Sequence, residues 1–383
     1  MWRHIASNAV TLLLVLMFLA GGVVLWGREE YSAKGPLAEQ ICLKVDRGST
    51  MRRVSRALEE DGAIRSGTLF RLGADYGDKA ESLKAGSYLL PEGASMAEIT
   101  EIITKGGAST CGTEVVYRIG VTASNVQVRE LDPATGKYVE TAEFAPGSET
   151  PAAFTKARSD AGTRFRVAVA EGVTSWQVIE GLKSVDVLDG ASGDIPAEGT
   201  LAPDSYEVRV GDTRASVLAR MTEAQSVLLA SAWEGRASGL PLASPEEALI
   251  LASIIEKETG VAEERGQVAS VFINRLNRGM KLQTDPTVIY GITKGEGVLG
   301  RGLRQSELQR QTPYNTYIID GLPPTPIANP GRASILAALN PDDTPYIFFV
   351  ADGTGGHAFA DNLADHNRNV AAWRAIEGQQ SGN

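Results

Sequence analysis

The chain has 383 residues, a net charge of -10 and a pI near 5.1. That length predicts two or three domains at about 150 residues each, and 43% hydrophobic with 22% charged residues is the balance of a globular protein. The acidic balance argues against a nucleic-acid binder, which presents a basic face, and the two cysteines have no zinc-type spacing.

Residues 9–27 carry no charged side chain. Their length is close to the roughly 20 residues that cross a bilayer core. Arg3 precedes the run and Arg28, Glu29 and Glu30 follow it, so residues 1–8 are expected to stay in the cytoplasm with the bulk exported. The alternative is a cleaved signal peptide. Leu19-Ala20-Gly21-Gly22 offers small residues, but the apolar run continues to Trp26, which favours an anchor. Residues 28–40 read as a linker above the membrane.

Residues 41–112 hold two copies of one pattern, and residues 164–240 hold a third and a weaker fourth. Each copy reads strand, turn with Gly, small polar N-cap, amphipathic helix. The copies are Leu43-Lys44-Val45-Asp46-Arg47-Gly48-Ser49-Thr50 before a helix at 54–58, Tyr88-Leu89-Leu90-Pro91-Glu92-Gly93-Ala94-Ser95 before 99–103, and Val167-Ala168-Val169-Ala170-Glu171-Gly172-Val173-Thr174 before 178–182. The fourth runs through Tyr206, Val208 and Gly211 to a helix around 217–224. Such units are similar to LysM-like glycan-binding modules; a generic α+β scaffold gives the same pattern. Cys42 and Cys111 flank the first module, as a disulfide in an oxidising compartment or as two free thiols. Between the modules, residues 113–163 read as an inserted piece. Val115, Tyr117, Ile119 and Val121 alternate as a strand, Asp132 to Gly136 is a turn, and 146–162 reads as a loop.

The texture changes in 241–376. Ser244-Pro245-Glu246-Glu247 is a helix start, with Ser as N-cap and Pro at the first helical position. Residues 248–255 are apolar almost all round, which predicts a buried helix ending at Thr259-Gly260. A second helix is expected over 263–278. The first ends in Glu256-Lys257-Glu258, and a carboxyl held among apolar neighbours is raised in pKa, which suits a general acid. On a helical wheel Glu256 projects between Leu249 and Ala252, and Glu258 near Leu251 and Ile254. They face different sides, and the wheel does not choose between them. Downstream, Leu282 to Gly291, Thr312 to Tyr317 and Gly321 to Pro324 read as loops whose aromatics, amides and hydroxyls suit sugar binding. Residues 346–350 read as a buried strand leading to a Gly-rich segment with His357, Asp361 and His366, whose spacing matches no metal motif. No Gly-x-Ser-x-Gly elbow accompanies them. Residues 377–383 read as a polar tail.

The segments Glu256-Lys257-Glu258-Thr259, Val268 to Leu276, Leu282-Gln283-Thr284-Asp285-Pro286-Thr287-Val288-Ile289-Tyr290-Gly291, Tyr314-Asn315-Thr316-Tyr317, Gly321-Leu322-Pro323-Pro324 and Phe349-Val350-Ala351-Asp352 closely resemble the YceG-like family of endolytic murein transglycosylases. The resemblance covers 164–375 closely and 40–112 more loosely, and 113–163 departs from it. It implies an α+β protein with a transmembrane helix, small LysM-like modules and a mixed catalytic domain. It also implies a single-pass protein of the inner membrane with its catalytic domain in the periplasm, acting on peptidoglycan glycan strands beside the cell-wall synthesis machinery. The implied reaction cleaves the bond between N-acetylmuramic acid and N-acetylglucosamine inside a strand, leaves a 1,6-anhydro end, limits strand length and needs no cofactor. Carried over by position, the family's catalytic Glu falls on Glu256. Gln283, Thr284, Asp285, Tyr290, Tyr314, Asn315 and Thr316 are the candidates for positioning sugar. A non-catalytic glycan-binding scaffold is the other class of function that this chain suits.

Overall fold

The computed structural model describes residues 2–105, 109–160 and 162–381, which divide into two compact units. The first holds residues 1–115, 127–144 and 149–164. It begins with helix α1 (Trp2–Ser32), of which Thr11–Ser32 is long and apolar enough to cross a membrane and has exposed side chains from Leu12 to Trp26. The helix continues to Ser32, where a linker was expected. It is held there by protein contacts: the Tyr31 hydroxyl donates to Thr100 Oγ1 at 2.6 Å and Arg65 pairs with Glu30 at 2.8 Å.

The module follows as β1 (Ile41–Val45), α2 (Met51–Glu60), α3 (Gly67–Tyr76), β2 (Gly86–Leu90) and α4 (Met96–Lys105). The strands of the first two copies pair antiparallel, with Leu43 opposite Tyr88. Both turns need glycine, since Gly48 and Gly93 have φ of 76° and 66°. Both N-caps form as expected: Thr50 Oγ1 accepts from Arg53 N, and Ser95 and Glu98 bond reciprocally as a capping box. The helices close over Val45, Leu58, Phe70, Leu90, Ile99 and Ile103. Cys42 and Cys111 form a disulfide, the first of the two alternatives.

The segment 113–163 carries β3 (Thr113–Ile119), β4 (Ser124–Asp132), β5 (Lys137–Phe144) and α5 (Ala152–Ser159). Val121 lies beyond β3 rather than in it. The hairpin turn is the anticipated one, with Asp132 accepting from Ala134 N and Thr135 Oγ1. Helix α5 occupies the expected loop. Phe154 and Ala157, three residues apart, are enough to bury one face, and Phe154 meets Phe144 edge-on at 5.1 Å. With β6 (Arg164–Val169) and β7 (Ser205–Val208), the five-stranded sheet has the order β5-β4-β3-β6-β7.

The second unit holds residues 116–126, 145–148 and 165–383. The third and fourth copies repeat the antiparallel pairing, with Val167 opposite Tyr206. Between them, α6 (Ser175–Lys183) starts with a complete capping box on Thr174 and Gln177. Helix α7 (Arg214–Glu234) extends well past its expected end.

Next come α8 (Pro245–Glu258), a 3-10 turn (Ala262–Glu264), α9 (Arg265–Asn277), α10 (Asp285–Thr293), α11 (Gln305–Leu308), α12 (Arg332–Leu339), the hairpin β8 (Phe348–Ala351) and β9 (His357–Ala360), and α13 (Leu363–Ser381). Every residue of α8 from Ala248 to Ile255 is buried, among Phe272, Leu282, Ile327, Ile335 and Leu339. Three expectations are corrected. Residues 285–293 form a helix, started by Pro286 in its first turn. The strand near 346–350 is half-buried and starts at Phe348, and α13 runs through the expected polar tail to Ser381.

Candidate functional site

Helix α8 begins where Ser244 Oγ accepts from Glu247 N and ends where Thr259 turns extended. Its side chains are buried from Ala248 to Ile255, and Glu256, Lys257 and Glu258 emerge after them. Two residues along a helix turn the side chain by about 200°, and the two glutamates do reach different surroundings.

Glu256 serves the fold. Its Oε2 accepts from the backbone N of Gly331 at 2.9 Å, and Gly331 is the N-cap of α12. A carboxylate belongs there, at the positive end of a helix. Around it, Gly172 N donates to Asn329 O and Asn329 N to Val173 O, Asn329 Oδ1 accepts from Leu201 N, and Lys257 Nζ donates to Gly172 O. Glu171, whose carboxyl is raised by burial and then by the Glu256 charge, lies against Gly331, where any Cβ would collide with it.

Glu258 opens on a cleft of about 310 Å³ together with Thr259, Gly353, Gly355, His357 and Trp373. The Thr284 hydroxyl donates to its Oε1. Burial, the largest influence, pushes the Glu258 carboxyl above the usual range. The Thr284 bond opposes this, Asp285 adds to it, and the positive fields of His357 and Arg275 oppose it. Arg275 is fixed by donating to Ile347 O at 2.7 Å and Leu282 O at 2.6 Å, with Phe348 under its guanidinium. His357 is fixed by Glu264, which accepts from its backbone N and contacts its Nδ1 at 2.8 Å. The far wall is the β8–β9 loop, where Asp352 Oδ1 accepts from Thr354 N and Gly356 N. Gly353 and Gly355 there have φ of 85° and 100°, conformations open to glycine.

The other sequence candidates divide into three groups. Thr284 and Asp285 stand beside Glu258, and the Tyr317 hydroxyl donates to Asp285 Oδ1 at 2.6 Å. Gln283 is exposed next to them and held at φ 51°, a costly conformation for a residue with a Cβ. Asn315 and Thr316 are buried rather than exposed. Asn315 Nδ2 donates to the carbonyls of Leu308 and Arg310, and Thr316 Oγ1 accepts from Thr284 N, so both hold the loops in place. Tyr290 and Tyr314 meet with ring centres 5.1 Å apart and planes tilted by 55°, and Tyr290 donates to Glu198, a carboxyl raised by burial. His357, Glu264, Arg275, Tyr317 and Trp373 were not among the candidates. Tyr317 lay in the segment read as suited to sugar, Arg275 in a motif of the resemblance, and His357 in the Gly-rich segment weighed for metal, while Glu264 and Trp373 carried no signal. His357 pairs with Glu264 while His366 stacks on Phe348.

The YceG-like family model matches residues 43–372. Two proteins named endolytic murein transglycosylase are similar to this chain. One, from Streptococcus pneumoniae serotype 2, is 25% identical over 96% of this chain and 65% of its own length. The other, from Bacillus subtilis, is 28% identical over 91% of this chain and 89% of its own. The chain thus spans about two thirds of the streptococcal relative, 65%. A crystal structure of a YceG-like protein from Listeria monocytogenes aligns with a TM-score of 0.45 and 25% identity, over 86% of this chain and 98% of that one. With a family model matched from the first module through the Glu258 cleft to α13, the chain belongs to the YceG-like family.

Proposed function

We propose that the protein is a membrane-anchored endolytic lytic transglycosylase that cuts the glycosidic bond between N-acetylmuramic acid and N-acetylglucosamine inside murein strands. Glu258 is its proton donor, in place of the Glu256 to which the family resemblance pointed. The observation that carries this reading is the enclosed Glu258 carboxyl, raised by burial, opening on a cleft beside Asp285 and His357. Glu256 is committed to the start of α12.

One acid suffices for this chemistry. Ordinary glycosidases use two carboxyls, because water or the enzyme attacks the sugar. Here the muramic acid C6 hydroxyl attacks its own C1, favoured by proximity. Neutral Glu258 gives its proton to the leaving oxygen as the C1–O bond breaks. The resulting carboxylate takes the proton from the C6 hydroxyl as the C1–O6 bond forms. Arg275 and His357 supply the positive field that supports that carboxylate. Gln283, Asp285 and Trp373 bind the strand: Trp373 offers a ring to a sugar face, and the polar pair takes hydroxyls. Thr284 orients Glu258, while Tyr290, Tyr314, Asn315 and Thr316 fix the loops.

Residues 9–27 span the cytoplasmic membrane with the N-terminus inside, and the strand-turn-helix units bind glycan as LysM-like modules near the synthesis machinery. The family match and the apolar run of α1 support this placement. The test is to incubate the full-length protein with purified murein sacculi and weigh the products. Anhydro ends support the proposal. Reducing ends mean a water-using muramidase, and unchanged muropeptides mean a scaffold.

A further inference from the structure

Among the described residues of the first module, α3 is the helix with large apolar side chains on its outer face. Phe70 and Ala74 are fully buried on the inner side, while Leu72 is 60% and Tyr76 89% exposed. Together with Leu69 and Gly73 they form one face at helical spacing. That face adjoins α1 where its apolar run ends. Leu69 lies against Gly27, its Cδ1 being 3.5 Å from where a Cβ would stand. Tyr31 lies across Gly73, where a Cβ would fall 2.3 Å from the ring. The Tyr31 hydroxyl is pinned to Thr100 on α4. Since α1 continues unbroken to Ser32, the module does not hang on a flexible tether.

The paired contacts set the height of α3. Gly27 meets Leu69 and Tyr31 meets Gly73, so the two helices climb together from the end of the apolar run. One helical turn rises about 5.4 Å, and the interfacial layer outside each edge of the hydrocarbon is roughly 5–8 Å thick. Leu72, three residues past Leu69, therefore stands about 4.5 Å up and within that layer, and Tyr76, seven residues past it, about 10.5 Å up and just beyond its outer edge. Trp26, 62% exposed, marks the same boundary on α1. Trp is among the residues enriched at this depth.

We infer that α3 is a second membrane contact: Leu72 sits in the interface of the bilayer from which α1 emerges, Tyr76 lies just above it, and with the anchor they hold the first module against that surface. This rests on the reading of residues 9–27 as a span. The occupant is lipid because the face is continuous with the lipid-facing side chains of α1.

The test places a nitroxide label, one at a time, on Leu72→Cys, Tyr76→Cys, Leu19→Cys and Val139→Cys of the full-length protein. Labelling without reductant leaves the native disulfide intact. The protein is reconstituted in phosphatidylethanolamine–phosphatidylglycerol vesicles, and each label's accessibility to oxygen is compared with that to a water-soluble nickel chelate. Leu19 on α1 reports the anchor itself, and Val139, exposed on β5, supplies the water value. The expected result is a Leu72 label that favours oxygen as an interfacial site does, with Tyr76 between Leu72 and Val139. A Leu72 label that matches Val139 while Leu19 is in lipid overturns the inference and leaves the anchor standing. A Leu19 label in water overturns both. A Leu72 label shielded from both reagents overturns the lipid contact in favour of a protein partner.

Discussion

Glu258→Gln and Glu256→Gln are the pair of substitutions on which the site stands. Glu258→Gln keeps the shape of the side chain and an oxygen for the Thr284 hydroxyl, but it removes the transferable proton. General acid catalysis is worth about 10²–10⁴-fold, or about 3–5 kcal/mol of barrier. Anhydro product formation should therefore fall by about that factor while the fold persists. Glu256→Gln also keeps an oxygen for Gly331 N and loses only the charge at the start of α12. That is worth about 0.3–1 kcal/mol, rising to about 2 in partly buried sites, so Tm should drop by a few degrees while the rate stays within a few-fold. The assay is the initial rate of anhydro-muropeptide release from sacculi, with thermal unfolding of each variant as control. Loss of the rate in Glu256→Gln with retention in Glu258→Gln would return the proton donor to Glu256 and refute the geometric argument.

Three further outcomes follow from the same structure. The Glu258 carboxyl is raised in the folded state, so the native protein binds its proton more tightly than the unfolded chain does. Its stabilising contribution is complete below the ordinary carboxyl pKa of about 4.3 and is lost as pH rises through the raised value. Thermal unfolding at stepped pH should therefore show Glu258→Gln gaining on the parent from acid towards neutral pH, and the parent's cleavage rate should fall across the same window as the acid deprotonates. Replacing Cys42 and Cys111 by Ala opens a loop with a separation of 69 residues, which should cost the first unit about 4 kcal/mol on chain-entropy grounds, measured by denaturant unfolding. Gln283→Gly relieves the backbone at φ 51° and should leave stability unchanged or raise it by up to about 1 kcal/mol, while the KM for glycan strands rises because the side chain is lost.

Much of the scaffold was readable because its signals are local. Ser244-Pro245 marked the start of α8, and a run with no polar face from 248 to 255 marked its burial. The strand, glycine turn and N-cap of each repeat are set by neighbouring residues, and all reappear with positive φ at Gly48, Gly93 and Gly172. What was hidden depends on partners distant in the chain. Asn315 and Thr316 read as exposed sugar ligands because Asn and Thr in a Pro-rich segment look the same whether they bond sugar or a neighbouring loop. Only the fold shows them bonding the 308–310 and 284 backbones. Residues 285–293 passed for a loop because Pro286 and Gly291 punctuate them, although a proline in the first turn is compatible with a helix. The choice between Glu256 and Glu258 was open for the same reason. The wheel gives directions, and only the fold says that one direction meets the start of α12 and the other a cleft.

That difference bears on function through its energy. The last turn of a helix disfavours negative charge, and α8 carries two carboxyls there. For Glu256 the cost is offset by the positive end of α12. For Glu258 no helix start faces the carboxyl. Among the described residues its one direct hydrogen bond is from the Thr284 hydroxyl, and the nearby Asp285 charge works against ionisation. A Gln at 258 would spare the fold that cost, and Gln283, the neighbour of the Thr284 that bonds Glu258, holds a second local strain. Residues that break local rules without structural compensation cluster where chemistry requires them. On this argument a stabilising substitution at 258 should also be an inactivating one. A variant there that gained stability at neutral pH and kept its rate would show that the cost is incidental to the reaction.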